Sequence, residues 1–292
     1  MCRQSATACL IKSPTRQHRL IGPLALRLET LADPRHRRGK RHPFVSVLLV
    51  ACSAAIGQWS SRAPQDTLAR LGARTTTVFQ VRIAPSTATI RRVLNAACPG
   101  GLADLLGHDP GGAGTLAVDG KSARGSRHGE IPAAHLLAPI TGAGLTVTQL
   151  RVPSKTNEIT CFDALLAPYD LAGVTVTADA LHCQRDHARF LVEEKKAHYA
   201  FTVKRNQKNL HRQLAALPWG KASAKFYDRT TAHGRLETRV VQALTITDLD
   251  IDFPHAVQVA KIVRHRTQRN TGKRSRETVY VITDLTSREA SP

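Results

Sequence analysis

The spacing of apolar positions changes rhythm at Gly111-Gly112-Ala113-Gly114. Before this glycine-rich stretch the apolar residues recur at helical intervals. Leu24, Leu26, Leu28 and Leu31 within residues 20–31 predict a short amphipathic helix, which Asp33-Pro34 stops. Residues 44–58 read as an apolar, buried helix. Pro85-Ser86-Thr87 opens a capped helix that leaves Arg91 and Arg92 on its exposed side. After the glycines the chain turns to short β-type runs alternating with helical ones. A strand over 115–118 is followed by a hairpin with arms 135–141 and 145–152 around Gly142-Ala143-Gly144. A helix over 157–169, a strand over 174–178, a helix over 185–196 with Phe190 and Leu191 inward, and a strand over 199–203 complete that part. Longer runs rich in Val, Ile and Thr at 235–247, 256–265 and 277–285 predict a further antiparallel element. The pattern implies a helical domain over 1–112 and an α/β domain over 113–292.

Two acids stand out against this background. Asp119 and Asp179 each end an apolar strand-like run, in Leu116-Ala117-Val118-Asp119-Gly120 and in Val176-Thr177-Ala178-Asp179-Ala180. A carboxylate at the end of a buried strand is poorly hydrated and needs a cation or a partner. Taken singly, each also fits a turn or a helix cap. The charge of the whole chain changes the weighting. With 42 Lys and Arg against 22 Asp and Glu, the formal charge is +20, and attraction to a polyanion follows. Lys121, Arg124, Lys155, His182 and Lys204 lie near strand ends where they are candidates for holding phosphates. Lys261, Arg264, Arg266, Arg269, Lys273, Arg274 and Arg276 form an acid-free strip expected to be exposed and to lie along DNA. The apolar stretch 44–56 is too short and too interrupted to cross a bilayer comfortably, and a cytoplasmic protein without a membrane partner is expected. The six cysteines contain no CxxC pair, and the group His182, Cys183, Asp186, His187 lacks the spacing of a zinc site.

The words around the two aspartates carry a resemblance. Val118-Asp119-Gly120-Lys121-Ser122, Lys155-Thr156-Asn157-Glu158-Ile159, Thr177-Ala178-Asp179-Ala180, Val203-Lys204-Arg205-Asn206-Gln207 and Gly234-Arg235-Leu236-Glu237-Thr238 occur in that order. The series resembles the DDE transposases of bacterial insertion sequences, specifically the ISAs group. The segments 33–43 and 85–87 resemble that group's associated N-terminal domain. The resemblance implies a ribonuclease H-like mixed sheet interrupted by a β-rich insertion. It implies that Asp119 and Asp179 are the first two acids of a triad holding Mg²⁺, with Mn²⁺ as a substitute. It further implies double-stranded DNA as element ends and target, strand cleavage and strand transfer as chemistry, and a homodimer. The third acid of the family is a Glu on a helix beyond a strand like 277–283; the chain ends at Pro292, so truncation and impaired activity are expected, with Glu158 and Glu237 as weak substitutes. Arg205 stands where the family pattern has Gly. A non-enzymatic DNA-binding fragment and a nuclease of the same fold are the alternatives.

Overall fold

The computed structural model describes residues 24–56, 83, 85–97, 108–124, 127, 129–130, 132–153, 157–222, 224–232, 234–246, 249 and 251–290. The chain divides into two compact units, Arg3–His108 and Asp109–Pro292.

The first unit is helical where described. Its helices are α1 (Leu24–Leu28), α2 (Phe44–Ile56) and α3 (Thr87–Ala96). α2 is apolar nearly all round, so it serves as the centre: Val47, Leu48 and Val50 are buried against Leu28, Leu31, Ile90 and Val93. α3 begins at Ser86, whose Oγ accepts a hydrogen bond from the Thr89 amide at 3.2 Å. Arg91 and Arg92 are exposed. The basic loop before α2 is organised by Asp33, which accepts from the Arg35 amide at 3.0 Å and its guanidinium at 2.9 Å and also pairs with Lys40 at 3.3 Å. Burial works to raise the Asp33 pKa, but the Arg35 and Lys40 bonds outweigh it and hold the carboxyl at about 2.

The second unit is built on one nine-stranded sheet. Its strands are β1 (Thr115–Ala123), β2 (Ala134–Thr141), β3 (Leu150–Val152), β4 (Thr175–Ala178), β5 (His198–Val203), β6 (Ala224–Ala232), β7 (Arg235–Thr245), β8 (Gln258–Gln268) and β9 (Arg274–Thr283). Their order across the sheet is β3-β2-β1-β4-β5-β9-β8-β7-β6. β1, β4 and β5 run parallel, and every other neighbour is antiparallel. The helices are α4 (Glu158–Leu166), α5 (Arg185–Arg189, continued by a π-helical turn Phe190–Glu194) and α6 (Lys208–Ala216). One sheet face carries Leu116, Val118, Val176, Tyr199 and Phe201, which bury Phe162 and Leu166 of α4 and Leu191 after α5.

Three elements differ from the sequence expectation. The second hairpin arm is regular only over β3, with an isolated bridge between Ile140 and Thr146. Pro139 in β2 offers a carbonyl but no N–H, which thins the ladder on that side. The runs after residue 224 are not a separate element: β9 pairs with β5 from Ala200↔Thr283 to Val203↔Tyr280 and carries the sheet outward. That extension has four strands rather than three, because the polar edge strand β6 shows no apolar alternation. Among the described residues, no helix is long and apolar enough to cross a membrane.

Candidate active site and nucleic-acid interface

The parallel ladder between β1 and β4 runs in register from Thr115↔Thr175 to Val118↔Ala178 and ends there. Asp119 and Asp179 are the next residues on the two strands. In-register residues of parallel neighbours share a sheet face, and neighbouring strands lie about 4.8 Å apart. Asp119 and Asp179 therefore directly follow the last paired residues of this ladder, at the sheet's rim. β4 stops at this point, while β1 continues to Ala123 because antiparallel β2 pairs along it as far as Ala123↔Ala134. Asp119 is thus inside a strand rather than at its end.

The two acids have different partners. Asp179 caps a single 3-10 turn and accepts from the Leu181 amide at 2.9 Å. Asp119 has a side chain 47% exposed and is paired at 2.7 Å with the ammonium of Lys121, two residues along on the same face. The Asp119 hydrogen bond and charge raise the Lys121 pKa. A cation is already drawn to the Asp119 carboxylate in this arrangement.

On the other side of β1 lies a network that the sequence does not announce. Glu158, first residue of α4, receives hydrogen bonds from Nε2 of His135 and, at 3.2 Å, from Nε2 of His182. Its carboxylate rests directly on Gly120: a Cβ built there would overlap it. His135 Nδ1 meets Ser122 Oγ at 3.2 Å. His182 is fully buried, tilted against Phe162 with ring centroids 5.0 Å apart. Burial lowers its pKa more strongly than Glu158 raises it. The neutral ring donates Nε2–H to Glu158, and Nδ1 is left buried without a partner. His182 is therefore withdrawn from the phosphate-facing set: its ring belongs to the core under α4 and does not reach the surface. The Gly after Asp119 was the available signal, since a glycine inside a strand marks a close approach by another group.

The loop after β5 closes this end of the sheet. Asn206 Nδ2 donates to the Ala180 carbonyl at 2.7 Å and Gln207 Nε2 to the Cys183 carbonyl at 2.9 Å. Arg205 lies outside the left-handed region, so this turn accepts arginine in place of glycine without backbone strain. Cys161 and Cys183 are buried free thiols, and burial pushes the Cys183 pKa up to about 12. Among the described residues, no group of three or more His, Cys, Asp or Glu is gathered for a metal ion.

Residues 110–287 match the family model described as the transposase DDE domain, and residues 26–108 match that of its associated N-terminal region. The chain belongs to the DDE transposase family. It is of the ISAs type. Among its relatives, the "H repeat-associated putative transposase YbfD" of Escherichia coli K12 is 30% identical over 182 residues, 56% of this chain and 70% of YbfD. The "Putative transposase YncI" of Escherichia coli O157:H7 is 34% identical over 47% of this chain and 37% of that protein. An "Uncharacterized protein in dhlA 3'region" of Xanthobacter autotrophicus is 40% identical over 42% of this chain and 44% of its own length. The matched stretches thus span less than half of the last two relatives.

In this DDE transposase the expected phosphate-holding residues are dispersed. Lys121, Arg124 and Lys204 are exposed near the rim that carries the aspartates, while Lys155 lies outside the described residues. The seven-residue strip is not one surface. Arg274 and Arg276 are exposed on one face of the β6–β9 extension, and Lys261, on that same face, is partly covered, with its ammonium 5.7 Å from the Trp219 ring centre. Arg264 and Arg266 are half-buried on the opposite face; Arg266 is paired with Glu237 at 3.2 Å and Glu277 at 3.4 Å. Arg269 and Lys273 belong to the turn between β8 and β9.

Proposed function

We propose that this chain carries two of the catalytic carboxylates of a DNA transposase, whose chemistry cleaves a DNA strand at an element end and joins the freed 3′ hydroxyl to target DNA. The supporting observation is the register of β1 and β4: Asp119 and Asp179 each directly follow Val118↔Ala178, the last pair of the parallel ladder. The order β3-β2-β1-β4-β5, with β2 antiparallel, supports a ribonuclease H-like reading of this part of the sheet. Two adjacent hard-oxygen donors suit Mg²⁺ or Mn²⁺, which completes its shell with water and phosphate oxygens. A divalent ion held there would supply an activated water and neutralise charge developing on the phosphate. Asp119 and Asp179 would hold it, and Lys121, released from Asp119, would face the phosphate. The Asn206 and Gln207 bonds would keep the loop after Asp179 in place, so that its carboxylate aims in one direction.

The test uses the purified chain, Mg²⁺ or Mn²⁺, and a labelled duplex containing the element's terminal repeats. Nicking at the repeat boundary, lost in Asp119→Asn and Asp179→Asn while DNA affinity stays equal or rises, supports the reading. Cleavage that persists in both variants, cleavage without preference for the repeats, or a gel shift with no nick at all refutes it.

A further inference from the structure

We propose that one face of the β6–β9 extension is a binding surface for the phosphate backbone of duplex nucleic acid, formed by Lys225 and Arg229 of β6 together with Arg274 and Arg276 of β9. This deepens the proposed function and rests on it for the identity of the ligand.

The argument comes from pairing register. Residues opposite one another in antiparallel strands share a face, and successive residues alternate. One set of cross-strand rows reads Lys225–Gln242–Lys261–Tyr280, Tyr227–Val240–Val263–Thr278, Arg229–Thr238–His265–Arg276 and Thr231–Leu236–Thr267–Arg274. These rows contain five Lys and Arg and no acid. The alternate rows include Asp228–Arg239–Arg264–Glu277 and Thr230–Glu237–Arg266–Ser275. Among the described residues, the ion pairs of the extension fall in those alternate rows: Arg239 with Asp228 at 3.4 Å and Glu237 at 2.8 Å, and Arg266 with Glu237 and Glu277.

The two faces thus use arginine differently. On one, guanidinium groups are neutralised within the sheet and contribute to holding it. On the other, Lys225, Arg229, Arg274 and Arg276 are exposed with no carboxylate in their rows. Like charges gathered without counter-charges destabilise a surface unless a polyanion neutralises them. Tyr227, 61% exposed in the same rows, adds a flat polar-tipped side chain suited to a sugar or phosphate. The surface also has a favourable place. β9 pairs with β5 only up to Val203↔Tyr280, so residues 274–279 project beyond the carboxyl end of β5, the end at which Asp179 follows β4. Six residues of strand extend about 20 Å.

The experiment measures binding of the full chain to a mixed-sequence duplex across a salt titration. Replacing Lys225, Arg229, Arg274 and Arg276 together by Gln is expected to flatten the dependence of log K on log salt by about 0.9 for each phosphate that is no longer neutralised. The pair Arg239→Gln and Arg266→Gln is expected to leave that slope unchanged while lowering the melting temperature. An unchanged slope in the fourfold variant, with wild-type binding intact, overturns the face assignment and leaves the transposase reading standing. Failure of the wild-type chain to bind duplex at all overturns both. Retained duplex binding by the fourfold variant, with loss of binding to phosphatidylserine vesicles, overturns the proposal in favour of a lipid surface.

Discussion

Gly120→Ala tests whether the site is locked from the far side of β1. The new Cβ would occupy the space of the Glu158 carboxylate, which His135 and His182 hold in place. Backbone cannot yield easily here, because β1 is paired on both sides up to Val118 and with β2 beyond. The carboxylate must move instead. Its departure leaves Nε2–H of the buried His182 without an acceptor, a loss of about 1–3 kcal/mol. Alanine in a strand recovers roughly 0.5–1 kcal/mol of that relative to glycine. A net destabilisation of about 1–2 kcal/mol is expected. In a Glu158→Ala background the obstruction is gone, so Gly120→Ala should become neutral or mildly stabilising. The interaction energy of the cycle should then be about 1–3 kcal/mol. Urea unfolding with hydrogen exchange across β1 reads the unit containing the site without interference from the helical one. Effects that add to within about 0.5 kcal/mol would show that Gly120 and Glu158 are not coupled, and the locking argument would fail.

Two further outcomes concern the helical unit. Asp33 has a folded pKa held at about 2, below its ordinary value of 3.8, so its contribution is fully present above about pH 4 and is lost as pH falls toward 2. Acid unfolding of this unit should move to higher pH in Arg35→Met, and identical acid midpoints would refute the assignment. Ser86→Ala removes the cap on Thr89 N–H and should cost about 1 kcal/mol, read as a lower denaturation midpoint; a Ser86→Asp variant should restore it.

How much of this was legible beforehand depends on where the information resides. The capped helix at Ser86, the apolar helix beginning at Phe44 and the strand ending at Ala178 follow from local periodicity and are present, whereas the strand expected over 115–118 runs on to Ala123 because β2 pairs along it. The transposase family was legible because motif words keep their order along the chain, and the family match extends over both units. What local pattern does not encode is which strands become neighbours. Nothing in the alternation of 224–232 distinguishes an edge strand from a loop, because an edge buries little. His182 sits in a polar word beside Asp179, and its burial depends on Phe162 and Glu158, which lie well before it in the chain. The strip at 261–276 reads as one charged block, yet strand alternation deals its residues to opposite faces and gives Arg266 two acid partners.

Sheet continuity links the rim and the extension. Through the pairs Ala178↔Phe201, Phe201↔Ile282 and Val259↔Ile282, the aspartates share their sheet face with the ion-paired rows of β7–β9, not with the unpaired cations. In a flat sheet a single duplex could not touch both without wrapping its edge. Strands twist, however, by about 20–25° from one to the next. At that average the three steps from β4 through β5 and β9 to β8 would turn the sheet normal by roughly 60–75° between Asp119 and the extension. The extension overhangs the same end of the sheet that carries Asp119 and Asp179, so on the proposed reading one duplex passing over that end would meet both. The long antiparallel strands therefore do more than enlarge the sheet: their length sets the overhang on which Arg274 and Arg276 lie.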